Sequence, residues 1–258
     1  MAFTPQYGAY PQASATNAAV IDAGLRAYML RVYNWMSSGL VLTGIVAYAI
    51  ASVPALHVMF YRDVVTPFGQ VAHNQPTALA MIAMFAPLGF VLVLTLGVNK
   101  LSTTTAQALF WLFCGVMGAS LTNIFIVYTS ESIVRVFFIT AATFATMSLW
   151  GYTTKADLSR MGSFLMMGLV GMIIASLVNI FMQSSVLQFV LSLVGVVVFT
   201  GLTAYDTQRI KGEYVQFAYA AGMDGANKRS VYDALSLYLN FINLFMLLLQ
   251  LLGNRNNN

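Results

Sequence analysis

Asp206 is an acidic residue that directly follows a long uncharged and mostly apolar run, 185–205. An ionisable side chain at membrane depth costs about 2.5–3.5 kcal/mol, so its presence indicates a functional role. The chemistry open to such a group is the binding of a proton or a cation. We therefore take Asp206 as the first candidate site residue.

Other polar side chains lie at spacings that could bring them to Asp206. Thr203 precedes it by three residues, and a second apolar run carries Ser236, Asn240 and Asn243 at positions i, i+4 and i+7. These three positions share one face of a helix. A single polar group of this kind is typical of interhelical hydrogen bonding, worth about 0.6 kcal/mol. For Asp206, Asn240 and Asn243 together we instead predict a functional cluster. It would form between the helices that carry these residues, near their cytoplasmic ends.

The composition identifies the class of protein that must position these residues. Hydrophobic residues make up 59% of the 258-residue chain and charged residues 8%, whereas an ordinary soluble domain is about 25% charged. The mean hydropathy is +0.76. The net charge of +4 comes from basic residues scattered singly between apolar runs, which indicates membrane topology rather than nucleic-acid binding. The lipid bilayer is thus the expected surroundings.

Seven uncharged or nearly uncharged runs have the length of about 20 residues that a membrane-spanning helix needs. They predict an all-α membrane protein, a bundle of seven transmembrane helices over 21–253. A disordered cytoplasmic tail (1–20) and a polar C-terminal tail (254–258) are expected to flank it. The predicted spans are 32–53, 78–98, 106–128, 133–150, 161–182, 186–205 and 234–252.

The basic residues between these spans predict an orientation. Seven spans place nine basic residues on one side and three on the other, and the richer side is expected to be cytoplasmic. The N-terminus is then cytoplasmic and the C-terminus outside. The nine are Arg26, Arg31, Lys100, Lys155, Arg160, Arg209, Lys211, Lys228 and Arg229, and the three are Arg62, Arg135 and Arg255.

The connecting segments show no metal site. Both histidines, His57 and His73, fall in a predicted outer loop over 54–76, without a neighbouring cysteine. We expect ordinary surface histidines there, and a second long loop on the inner side over 211–230. The single cysteine, Cys114, lies in an apolar run and is expected to be a packed side chain. We predict no metal and no cofactor.

Catalysis also lacks suitable residues, so we expect a protein that is not an enzyme. An intramembrane aspartyl protease needs two membrane aspartates, and only Asp206 qualifies. A rhomboid-like serine protease needs an intramembrane histidine, and a retinal protein needs a lysine in its last helix. No glycine-rich phosphate-binding loop is present either.

Three motifs resemble those of a known family. The segments FTGLTAYDTQRI (199–210) and ALSLYLNFINLF (234–245) are similar to the sixth- and seventh-helix signatures of the Bax inhibitor-1/YccA family. GYTTKADLS (151–159) resembles a loop of its bacterial branch. The resemblance runs from about residue 26 to Gly253. It implies six helices around a central seventh, and a location in the bacterial inner membrane.

The resemblance also implies a function, a calcium leak gated by pH. In that family, two aspartates on the last two helices share a proton and control closure. A basic residue at the cytoplasmic end of the second helix can exchange partners with them, and Lys100 is the nearest candidate. Arg209 and Lys211 are expected to act on Asp206 as neighbouring cations.

This sequence departs from the family at Asn240, where the pattern LYLDFIN has its second aspartate. Two close carboxylates repel, so one of them keeps its proton to unusually high pH. An Asp–Asn pair lacks this repulsion, and the amide can donate a hydrogen bond to the acid. We therefore expect pH gating near neutrality to be weakened or moved to lower pH. Calcium binding should also be weak, since calcium takes six to eight oxygen ligands.

A second function remains open beside the leak. Bacterial members of the family are associated with a membrane-anchored AAA protease, which suggests a non-conducting regulator. The N-terminal tail would then be the segment that binds the protease.

Overall fold

Long apolar helices dominate the structure, a computed structural model that describes residues 15–65, 70–97, 101–220 and 223–256. The elements in chain order are α1 (Ala15–Ser52), α2 (Pro54–Phe60), β1 (Tyr61–Val65), β2 (Val71–Pro76), α3 (Ala78–Gly97), α4 (Thr103–Leu121), α5 (Asn123–Val127), α6 (Ser130–Thr153), α7 (Ser159–Met182), α8 (Ser185–Ala220) and α9 (Met223–Leu252).

Seven helical segments in this part of the chain are long and apolar enough to cross a membrane, which confirms the predicted fold class. They are Asp22–Ser52, Ala78–Gly97, Thr103–Val127, Ser130–Thr153, Ser159–Met182, Ser185–Gln216 and Asn227–Leu252. The third segment joins α4 to α5. The protein is therefore a multi-pass membrane protein.

Polar residues at the helix ends set several of these boundaries. Ser102 and Thr129 precede α4 and α6, and each side chain accepts a hydrogen bond from a backbone N–H of the first turn. These bonds satisfy donors that the helix itself leaves unpaired. Gln183 ends α7 in the left-handed conformation, with φ of 49°. The carboxyl group of Asp157 accepts a hydrogen bond from the Ser159 backbone at the start of α7.

The C-terminal helix α9 lies at the centre, as predicted. It is the most buried of the seven spans and packs against α1, α4, α6 and α8, while α3 and α7 have their main contacts with α4 and α8. Tyr238 of α9 is fully buried. Its ring contacts Phe113, and its hydroxyl lies 2.7 Å from that of Thr43, so one side chain joins three spans.

Helices α8 and α9 are longer than predicted, and the prediction of an inner loop over 211–230 is wrong. Helix α8 continues to Ala220 and α9 begins at Met223. Charged residues suggested a loop, but they form i, i+4 pairs along each helix, Arg209 with Glu213 and Arg229 with Asp233. Such pairs stabilise helices that extend beyond the apolar region.

The two chain ends also differ from expectation. Helix α1 begins at Ala15, so residues 15–20 are helical, whereas residues 1–14 lie outside the described part. The end of the chain is not simply a solvated tail. The backbone N–H of Asn254 donates to Ser132, that of Asn256 donates to the Val127 carbonyl, and Arg255 forms a β-bridge with Tyr128.

The predicted outer loop over 54–76 contains α2 and an antiparallel hairpin of β1 and β2. These short, exposed elements have no apolar periodicity that would predict them. Asp63 accepts hydrogen bonds from the Asn74 backbone N–H and from His73 Nδ1, both at 2.9 Å. His73 thus has an acidic partner that the sequence pattern did not predict. The two hydrogen bonds lower the pKa of Asp63.

Because α1 packs closely on α4, we predict that two glycines of α4 differ in how well they tolerate a larger side chain. A Cβ at Gly118 would lie 2.6 Å from the Thr43 carbonyl oxygen, whereas one at Gly115 would meet nothing within 4 Å. Gly118→Val should destabilise the protein by about 1–3 kcal/mol through overpacking. Gly115→Val should change stability much less. Thermal unfolding of the purified variants in detergent checks this, and equal losses would contradict the packing.

The lowered pKa of Asp63 predicts how the outer hairpin responds to acid. The contact with Asn74 should be complete above the ordinary carboxyl pKa of about 4 and be lost as the pH falls through the lower folded value. Titration of the Asn74 amide NMR signal should show this midpoint, and Asp63→Asn should abolish it. A midpoint at or above about 4 would contradict the expectation.

Candidate functional site

Asp206 and Asn240 meet between α8 and α9, the two helices with the most extensive mutual packing. The Asn240 amide Nδ2 donates to Asp206 Oδ2 at 2.7 Å. Asn240 is 6% exposed and the Asp206 side chain 13%. The predicted contact across the bundle is therefore present.

The second oxygen of Asp206 is also occupied. Arg209, three residues further along α8, places Nη2 3.0 Å from Asp206 Oδ1. The carboxyl group is thus held by an amide from one helix and a guanidinium group from its own. Neither oxygen is free of a protein partner in this conformation.

Arg209 has further partners within reach. Nη2 donates to the Ser236 hydroxyl at 3.4 Å, which places the predicted residue Ser236 in the site. Nε of the same guanidinium is buried without a hydrogen bond and lies 3.8 Å from Glu213 Oε1. Arg209 is therefore positioned between two acids, one on each side of it along α8.

The remaining predicted residues are placed differently. Thr203 and Asn243 donate to carbonyls of their own helices, those of Phe199 and Leu239, and no bond to Asp206 is seen. Lys211 donates instead to the Tyr152 carbonyl. Contrary to expectation, it makes no direct contact with Asp206. Lys100 lies outside the described residues.

A second buried acid, Asp233, was missed as a site residue. Its side chain is 4% exposed, and it accepts a hydrogen bond of 2.5 Å from the hydroxyl of Tyr28 on α1. Arg229 Nε lies 3.4 Å from its other oxygen. The expectation that Asp206 is the only buried aspartate in these helices is therefore wrong. Each of the two acids has its own guanidinium partner.

Glu213 connects the two acids into one network. It pairs with Arg229 as well as with Arg209. We name the resulting chain of contacts the inner network. Its members, in order of contact, are Tyr28, Asp233, Arg229, Glu213, Arg209, Asp206 and Asn240.

The spacing of these residues carried a signal for the inner network. Asp233 precedes Asn240 by seven residues, two turns on the same face of α9, and the charges in both helices recur at i+3 or i+4. The assignment of 211–230 to a loop concealed this register. Tyr28 could not be found in this way, because it comes from a distant helix.

A second polar contact reaches α8 beside Asp206. The hydroxyls of Tyr33 and Ser148 are hydrogen-bonded, and Ser148 lies 2.9 Å from the hydroxyl of Thr207. Across the described residues, no group of three or more His, Cys, Asp or Glu side chains is arranged to hold a metal ion. The site in this conformation is a closed polar contact.

Comparisons with known proteins agree with the motifs. The family described as "Inhibitor of apoptosis-promoting Bax1" matches residues 25–257. An uncharacterized protein of Rickettsia prowazekii is 48% identical over 91% of this chain and 92% of its own length. The inner membrane protein YbhL of Escherichia coli K12 is 42% identical over 90% and 94%. An uncharacterized membrane protein of Streptococcus pyogenes is 31% identical over 90% and 94%.

The Tyr28 contact predicts a loss of stability on removal of one hydroxyl. Tyr28→Phe leaves the buried Oδ2 of Asp233 without its tyrosine donor and should cost about 1–3 kcal/mol. Tyr214→Phe is the matched control, because its ring stacks on Tyr28 at 4.8 Å but its hydroxyl has no hydrogen bond in the described part of the chain. Unfolding in detergent followed by tryptophan fluorescence checks this, and indistinguishable variants would contradict it.

Proposed function

The chain belongs to the Bax inhibitor-1 family, and we propose that it is a passive cation leak pathway closed at its inner end by Asp206 and Asn240. Calcium is the expected cation. The observation that carries the proposal is the engagement of both Asp206 oxygens, by Asn240 at 2.7 Å and by Arg209 at 3.0 Å.

A buried acid with both oxygens held forms a closed state. A passing cation needs oxygen ligands, and here the amide and the guanidinium group occupy them. Opening therefore requires at least one partner of Asp206 to leave. The contact with Asn240 joins α8 to α9, so it also helps to hold the two helices together.

Arg209 is the partner best placed to leave. Its unbonded Nε already lies 3.8 Å from Glu213, so a small movement along α8 exchanges Asp206 for Glu213. The charge of Arg209 then remains paired in both states. Asp206 would gain a free oxygen without leaving a guanidinium group unpaired.

Asn240 determines how this closure responds to pH. An amide stays neutral over the physiological range, so no proton is shared between the two positions. Protonation of Asp206 would remove the charge that holds Arg209, but without the repulsion of a second carboxylate. The charged groups linked to Asp206 through the inner network are Arg209 and Glu213 on its own helix, and Asp233 and Arg229 on α9. The leak should therefore have a shallow pH dependence near neutrality.

The orientation is part of the proposal. The distribution of the basic residues supports a cytoplasmic N-terminus and an inner network on the cytoplasmic side. The relative YbhL is named an inner membrane protein, which supports the same membrane for this chain. The polar closure would then lie at the cytoplasmic end of the pathway.

Calcium influx into proteoliposomes between about pH 5 and pH 8 tests the proposal. Wild type should leak with shallow pH dependence, Asp206→Asn should change the leak, and Asn240→Asp should make the response steep. Arg209→Gln should raise the leak about tenfold, because a hydrogen bond to a charged group contributes about 1.5 kcal/mol. Arg135→Gln is the matched control, since Arg135 pairs with Glu131 at the exposed start of α6.

Two results would contradict the proposal. Steep neutral-pH dependence in wild type would show that Asn240 does not weaken gating. If no variant conducts above empty liposomes, the leak is excluded and the protein is better explained as a regulator of a membrane-anchored AAA protease. Loss of protease binding on deletion of residues 1–20 would then support that alternative.

A further inference from the structure

A long groove lies between α1 and α6, away from the Asp206 site. It has a volume of about 890 Å³, and Phe241 of α9 contributes to its lining. Its walls are mostly apolar, and lining residues such as Val41, Ile45 and Leu149 are exposed to the surroundings of the bundle. The groove therefore opens sideways, towards the lipid that surrounds a membrane-spanning helix.

The groove matches the dimensions of the bilayer. Its lining on α1 extends from Arg26 to Ile45, a rise of about 29 Å along a helix. The hydrocarbon core is about 30 Å thick. The uncharged part of α1 starts after Arg31 and continues to Ser52, so the groove extends inward from the Arg26 side through the leaflet on that side.

The end of the groove at Arg26 is positively charged. Arg26 lines it and is exposed, and the structure shows no hydrogen bond or ion pair of its side chain within the described residues. Tyr152 lines the same end, and Lys211 Nζ lies 5.0 Å from the centre of its ring. No aspartate or glutamate of the described chain is among the lining residues. This end suits an anionic group.

The polar atoms deeper in the groove are already satisfied. Tyr33 and Ser148 bond to each other, and Ser148 bonds onward to Thr207. A ligand therefore finds one charged end and an otherwise apolar wall. A phospholipid has this distribution, with a charged phosphate and an apolar chain.

We propose that the groove binds one anionic phospholipid from the leaflet on the Arg26 side. The phosphate lies against Arg26 and one acyl chain lies along the wall formed by α1 and α6. The volume is within the range of sites that hold a single small ligand. The single charge of Arg26 beside an uncharged apolar wall fits an anionic headgroup with its acyl chain better than it fits an apolar helix of a second copy.

Native mass spectrometry of the purified protein, titrated with phosphatidylglycerol or phosphatidylcholine, tests this proposal. Wild type should retain one phosphatidylglycerol per chain and retain phosphatidylcholine about fivefold less, the effect expected for one basic residue near an anionic lipid surface. Arg26→Gln should reduce phosphatidylglycerol to the phosphatidylcholine level. Arg160→Gln, an exposed cation outside the groove, should change nothing.

A second pair of variants tests the apolar wall. Gly44 lines the groove, and a Cβ there would meet nothing within 4 Å. Gly44→Leu should therefore fill the groove without disturbing the helix and reduce retention of both lipids. Gly171 on α7 has equally open surroundings but lies outside the groove, so Gly171→Leu should retain lipid as wild type does.

Four outcomes would overturn the proposal. Equal retention of the two lipids by wild type would exclude recognition of the anionic group, as would equal effects of Arg26→Gln and Arg160→Gln. Unchanged lipid retention in Gly44→Leu would place the lipid elsewhere. A dimer in wild type that Gly44→Leu abolishes would identify the groove as an interface between two copies.

Discussion

The carboxyl group of Asp206 is buried in a helix that is long and apolar enough to cross a membrane, whose hydrocarbon offers no hydrogen-bond donor. Its partners must therefore come from the protein. Asn240 and Arg209 meet this requirement, and because Asn240 belongs to α9, the contact sets the rotation of α9 relative to α8. Asp233 imposes the same requirement on α1, which supplies Tyr28. The inner ends of three helices are thus positioned by two buried acids.

The inner network distributes charge over both helices. Three acids (Asp206, Glu213 and Asp233) alternate with two arginines, so each guanidinium group lies between two carboxyl groups. An arginine in such a position can change partner without becoming unpaired. Such an exchange would be electrostatically balanced. An element with two such arrangements is what a gate requires.

The groove and the inner network share helices. The hydrogen bonds of Tyr33, Ser148 and Thr207 connect the groove wall to α8, one residue beyond Asp206. A lipid seated in the groove would therefore contact α1, which supplies Tyr28 to the inner network, and α6, which bonds to Thr207 of α8. This arrangement offers a physical route by which a bound lipid would act on the proposed leak.

Much of this protein follows from the sequence alone. Apolar length predicted the seven spans, because a bilayer of fixed thickness requires about 20 apolar residues per helix. The isolated acid in the sixth span predicted the candidate site, because an ionisable group in a membrane is costly. The face shared by Ser236 and Asn240 also followed from helical spacing. These properties depend only on residues close together in the chain.

Only the tertiary structure decided which distant groups meet. Tyr28 reaches Asp233 across 205 positions, and no local pattern encodes such a pairing. Composition does not show whether a charged residue faces solvent or a charged residue of a neighbouring helix, so the charges of 211–230 resembled those of a loop. In the structure, ion pairs within and between α8 and α9 hold them instead. Packing likewise placed Lys211 on Tyr152 rather than on Asp206. The spans follow from the bilayer, whereas the contacts between them follow from the way that the helices pack.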